Sequence, residues 1–111
     1  MRITKYNINE FIYGSMMNCD NMGVTHIDYI PEGITHLYCG SNKLTSLNKL
    51  PESLTHLDCG NNELTKLPNL PESLTELYCY DNNLPYQITL KNFKEHNKLI
   101  KRKEILKRIC V

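Results

Sequence analysis

Apolar residues recur along the chain at fixed offsets inside a unit of twenty residues: Leu37, Cys39, Leu44 and Leu47 return as Leu57, Cys59, Leu64 and Leu67, and again as Leu77, Cys79 and Leu84. An apolar position, a polar one and a second apolar one is the period of a strand, where alternate side chains face opposite ways. The spacing therefore predicts one short strand per unit, with the leucine and the cysteine two places later both facing a core. Residues 30–49 read IPEGITHLYCGSNKLTSLNK, residues 50–69 read LPESLTHLDCGNNELTKLPN, and residues 70–89 open LPESLTELYCYDNNLPY. A self-similar unit of this size buries its apolar face only by stacking on its neighbours, which sets the strands side by side in a parallel sheet.

Each unit carries LxxLxCxxNxL, at Ile34, Leu37, Cys39, Asn42 and Leu44, at Leu54, Leu57, Cys59, Asn62 and Leu64, and at Leu74, Leu77, Cys79, Asn82 and Leu84. This is the leucine-rich repeat pattern. Asn42, Asn62 and Asn82 stand where the chain leaves the strand, so inward amides there are expected to satisfy turn backbone as a ladder. A fourth, degenerate copy spans residues 10–29, with Met17, Cys19, Val24 and Ile27 in the apolar places and Met22 where asparagine belongs. Residues 1–9 alternate without clean polarity and are expected to add a strand or cap.

The stretch LTKLPNLPESLTELYCYDNNL resembles the short leucine-rich repeats of bacterial LPX-type effectors. The match spans residues 30–85 well and 10–29 loosely. The repeated strand cysteine, the LPESLTHLDC wording and the lysine-rich tail are also similar to leucine-rich repeat proteins of giant DNA viruses. Effector repeats bind partner proteins, and in some members they precede a ubiquitin-ligase domain. Residues 90–111 are too few for such a domain. The resemblance implies an effector-like module working inside a cell, in the host cytoplasm if the chain is viral or effector-derived.

Pro31, Pro51, Pro68 and Pro71 punctuate the connectors, and the residue before a proline avoids the helical region. The expected fold is a leucine-rich repeat solenoid with short parallel strands on its concave face and extended, polyproline-like connectors on its convex face. At 111 residues it makes one domain. Its net charge of +1 hides a split: residues 1–89 hold five basic and ten acidic residues, net −5, while residues 90–111 hold eight basic and two acidic, net +6. The chain has no apolar run near the roughly 18 residues of a membrane span and no signal-peptide layout at its start. A soluble, intracellular protein with reduced thiols is expected.

Cys19, Cys39, Cys59 and Cys79 lie twenty residues apart. On successive strands they form a line roughly 14 Å long at about 4.8 Å per step, which cannot close around one zinc ion. A buried structural ladder is expected, with no metal and no other cofactor.

The outward strand positions are Met16, Asn18 and Asp20, then His36, Tyr38 and Gly40, then His56, Asp58 and Gly60, then Glu76, Tyr78 and Tyr80. The expected contact surface is His36, Tyr38, His56, Asp58, Glu76, Tyr78 and Tyr80, led by the tyrosines, which suit interfaces but also simply suit strands. Gly40 and Gly60 are expected to leave a shallow groove. His36, His56 and Glu76 share a column that could hold a divalent metal, yet repetition of the THL motif already accounts for the histidines.

Residues 90–111 are expected to form a basic amphipathic helix capped at Thr89, with Leu99, Leu106 and Cys110 on an apolar stripe flanked by Phe93, Ile100 and Ile109. Laying that stripe over the last coil would cap the array. The function expected is a non-catalytic protein-binding module for an unidentified protein, of a host cell if the source is a pathogen. The alternatives are a nucleic-acid or anionic-membrane binder acting through the basic helix, and an effector remnant using Cys110 as a reactive thiol. The chain is expected to be monomeric or weakly self-associating.

Overall fold

The computed structural model describes residues 1–109, with side chains placed through residue 107. Five strands form the main sheet: β2 (Ile12–Tyr13), β3 (Met16–Asn18), β5 (His36–Tyr38), β6 (His56–Asp58) and β7 (Glu76–Tyr78). From β3 onward all run parallel in sequence order, and each residue pairs with the one twenty positions later, as in Leu37 with Leu57 and Leu57 with Leu77. The ladder continues past the strands, where the Cys19, Cys39 and Cys59 N–H groups donate at 2.8 Å to the Tyr38, Asp58 and Tyr78 carbonyls.

Leu37, Cys39, Leu44, Leu54, Cys59 and Leu64 are completely inaccessible, and Met17, Cys19 and Val24 of the degenerate first copy are too. Each such leucine contributes roughly 1.5–3 kcal/mol through burial. The connectors contain no helix between β5 and β7. They turn instead after each proline: the Ile34, Leu54 and Leu74 N–H groups donate to the Pro31, Pro51 and Pro71 carbonyls.

The N-terminal end differs from the expected simple strand. β1 (Arg2–Ile3) leaves the main sheet alone and pairs in parallel with β4 (His26–Ile27), forming a second, two-stranded sheet on the connector side. β2, inside the segment expected to be the first coil, instead runs antiparallel to β3 through a turn at Gly14 and Ser15, with Gly14 at φ 63°. The cap therefore extends to Tyr13. Ile3, Ile8 and Phe11 are its buried anchors.

At the other end, Ile88 and Phe93 are buried against the last coil, and α1 (Phe93–Ile109) follows. It starts four residues after Thr89, the expected cap: residues 90–92 form a turn, and Asn92 immediately precedes the helix. Thr89 Oγ1 accepts from the Lys91 N–H and Asn92 Oδ1 accepts from the Thr89 N–H, which fixes that turn. The expected apolar stripe does not lie over the coil: Leu99 is 41% and Leu106 50% exposed. Polar clamps near the start of the helix hold it instead. Asn97 donates to and accepts from the backbone of Leu70, both at 2.7 Å. His96 donates from Nε2 to the Pro68 carbonyl at 3.1 Å and accepts the Tyr86 hydroxyl at Nδ1 at 2.7 Å. Cys110 and the Ile109 side chain lie outside the described residues. Among the described residues no helix is long and apolar enough to cross a membrane.

Candidate functional site

Two ladders expected from the repeat have direct geometry. Asn62 Nδ2 donates to the carbonyls of Cys39, Cys59 and Gly60, and its Oδ1 accepts from the Leu44 N–H. Asn42 and Asn82 repeat this arrangement one unit before and after. The cysteines are free thiols in the core. Burial pushes the Cys19 thiol up to about 12, with nearby Asp20 adding to it, and burial likewise raises Cys39, Cys59 and Cys79. Thiols held protonated in this way are poor nucleophiles and poor metal ligands.

Sequence reasoning missed two further ladders. Thr55 and Thr75 hydroxyls donate to the carbonyls of Thr35 and Thr55, and Ser53 and Ser73 hydroxyls donate to those of Ile34 and Leu54. Their signal was the recurrence of serine in PES and of threonine before the histidine or Glu76.

The outward side chains form three rows across the strands. In the first, His36, His56 and Glu76 are in register. The two imidazoles stack with centroids 4.0 Å apart, and His56 Nε2 lies 3.8 Å from Glu76 Oε1. The Thr55 hydroxyl, 3.1 Å from the Thr35 carbonyl, also hydrogen-bonds His56 Nδ1 at 2.7 Å and so fixes the ring. Among the described residues no group of three or more histidine, cysteine or carboxylate side chains is placed to share a metal ion.

The second row is Tyr38, Asp58 and Tyr78. Tyr78 is exposed and Tyr38 half-buried, the latter tilted toward His36. Asp58 Oδ1 accepts from the Gly60 N–H at 3.1 Å.

The third row, Gly40, Gly60 and Tyr80, is filled where a groove was expected. The Tyr80 ring lies over Gly60, so near that an added Cβ would meet it at 3.0 Å. Above Gly40 stand the carboxylates of Asp58 and Asp20, 3.3 and 3.5 Å from where a Cβ would be, and Asp20 Oδ1 accepts the Gly40 N–H at 2.7 Å. A side chain at Gly60 would displace the Tyr80 ring, and one at Gly40 would press on the Asp58 carboxylate. Burial, opposed by the Gly40 bond and reinforced by Asp58, raises the Asp20 carboxyl above its ordinary value.

The three rows therefore bring together His36, Tyr38, His56, Asp58, Glu76, Tyr78 and Tyr80, and they add Asp20 to the site. No protein-family model matches the chain and no curated protein matches it, so the geometry of its own face carries the functional reading.

Proposed function

We propose that the chain is a leucine-rich repeat solenoid acting as a non-catalytic protein-interaction module, with the strand face as its working surface. The observation that carries this reading is the array of three in-register rows, on which Glu76, Tyr78 and Tyr80 stay exposed beside half-buried His36, Tyr38, His56 and Asp58. Tyrosine supplies contact area with little rotamer entropy to lose, and flanking polar groups fix orientation. The short leucine-rich repeats of bacterial effectors and giant viruses, which this chain resembles, support a protein partner inside a host cell. The surface is short, so the interface sits at the small end of the range for specific complexes.

The test compares the intact chain with a variant carrying Tyr38→Ala, Tyr78→Ala and Tyr80→Ala in pull-downs from host lysate, after circular dichroism shows both folded. A protein partner lost with the tyrosines supports the reading, and undiminished capture refutes it.

One observation favours a second reading. Leu99, Ile105 and Leu106 are exposed among Lys98, Lys101 and Arg102 on the helix. That is the composition of a surface for anionic membranes or nucleic acid. Binding of this kind falls steeply with added salt, and salt-insensitive binding excludes it.

A further inference from the structure

The outward positions of β3 and β5–β7, with the residues that follow each strand, carry Asp20, Asp58 and Glu76 and no lysine or arginine. Three features narrow what such a face selects. Asp58 lies one strand step from Tyr38 and one from Tyr78. Two steps span about 9.6 Å, at about 4.8 Å each, so a cation midway lies within the roughly 6 Å over which a ring face attracts it. In the adjoining row, the exposed Glu76 carboxylate offers acceptor oxygens, its Oε1 lying 3.8 Å from His56 Nε2. Finally, Asp20 and Asp58 both stand over Gly40, where a nearby cation would offset their mutual repulsion.

An acceptor-rich surface with aromatic flanks calls for a ligand that is cationic, planar and rich in donors. Guanidinium has five N–H donors in a rigid fork and stacks on aromatic faces, whereas ammonium is a compact, strongly hydrated point charge. Phosphate is disfavoured by the sign of the face, which separates this surface from the basic helix.

Resting on the reading of this face as a protein-binding surface, we infer that it takes an arginine side chain of the partner. The guanidinium donates to Glu76 and Asp58 and sits between the rings of Tyr38 and Tyr78. The partner segment is accordingly basic and presents arginine in preference to lysine.

The full chain, labelled with ¹⁵N, is titrated at low ionic strength with the capped peptide Gly-Arg-Gly-Arg-Gly, its citrulline counterpart and its lysine counterpart. Citrulline keeps the shape of arginine and removes its charge. With the arginine peptide, amide signals of Tyr38, Asp58, Gly60 and Tyr78 should shift and saturate, the lysine peptide should bind more weakly, and the citrulline peptide should leave them in place. Asp58→Asn keeps an acceptor for the Gly60 N–H and should weaken arginine binding about tenfold, the scale of one charge-assisted hydrogen bond. Equal binding of the citrulline peptide, shifts that never saturate, or unchanged affinity in Asp58→Asn would each overturn the assignment. In the pull-down, a partner kept by Asp58→Asn with Glu76→Gln but lost by the tyrosine variant overturns the arginine site alone. A partner kept by all variants overturns the protein-binding reading as well.

Discussion

Replacing Asn62 with alanine measures what the asparagine ladder contributes. Its Oδ1 accepts from the buried Leu44 N–H, which the alanine variant leaves without that partner. An orphaned buried donor costs about 1–3 kcal/mol. The carbonyls fare better, because Cys39 keeps Asn42, Cys59 keeps Asn82 and Gly60 keeps the Ser41 N–H. Losing second partners adds roughly 1 kcal/mol, for a total near 3 kcal/mol. Asn42 satisfies two N–H groups, of Met22 and Val24, and gives the Cys19 carbonyl its side-chain partner, so Asn42→Ala should cost about 4 kcal/mol. Asn82 stands at the last coil, half-buried, where water can replace it, so Asn82→Ala should cost about 1–2 kcal/mol. Urea unfolding followed by circular dichroism gives all three, with unchanged m-values as the condition for comparison. The ordering Asn42, Asn62, Asn82 is the test. An Asn62→Ala loss under about 1 kcal/mol, or an Asn82→Ala loss equal to that of Asn42→Ala, would refute the accounting.

Four further outcomes are expected. Asn21, Ser41, Asn61 and Asp81 all sit at φ between 53° and 57°, and of these serine tolerates the left-handed region least. Ser41→Asn should therefore raise the urea midpoint, with a gain of about 0.5–1 kcal/mol, and a fall would show that its exposed hydroxyl matters more. The ladder thiols should resist Ellman's reagent in the native protein at mildly alkaline pH and react once urea is added; rapid native reaction would contradict their burial. Because the Cys19 thiol is raised from 9.0 to about 12, the unfolded chain releases a proton that the folded chain keeps, so stability should decline as pH rises through that window. Asp20 follows the same sign on the acid side: its raised carboxyl makes stability fall as pH climbs above 3.8. Asp20→Asn should flatten that slope and stabilise the protein at neutral pH while weakening arginine-peptide binding; a destabilised variant would show that the Gly40 bond needs the carboxylate.

Much of this architecture was legible because repetition amplifies a weak local signal. A single LxC could be many things, but three in register, each with asparagine three places later, dictate parallel strands, inward cysteines and a ladder of amides. Strand alternation then placed the outward rows correctly, position by position. Signals that occur once had no such amplification. The β2–β3 hairpin rested on Gly14 and Ser15 between two apolar stretches, a two-residue turn signal masked by the expectation of a first coil. The pairing of β1 with β4 depends on contacts between distant segments that no periodicity announces. The helix misled for a different reason. Its apolar residues at helical spacing imply a buried stripe, yet His96 and Asn97, polar and unremarkable in sequence, decide by hydrogen bonding which side faces the connector. The groove at Gly40 and Gly60 vanished because a glycine marks room for something, and here Asp20, Asp58 and Tyr80 take that room.

The contrast between inward and outward positions is itself the strongest pointer to function. Inward, the three clear units repeat almost without change, because every unit must fit the same neighbours: leucine, cysteine, asparagine and leucine again. Outward, the fold is nearly indifferent, and there the units diverge, with Tyr38 answered by Asp58 and then Tyr78, and His36 and His56 answered by Glu76. Packing does not ask for these differences, and charge stability argues against some of them. The Asp20 carboxyl is raised above its ordinary value by burial and, to a smaller extent, by Asp58. Lysine and arginine, meanwhile, concentrate beyond residue 89 and stay off the strand face. A surface that keeps Asp58 between two tyrosines and beside a second carboxylate, with no lysine or arginine on the strand face, is arranged for a cation that arrives from outside.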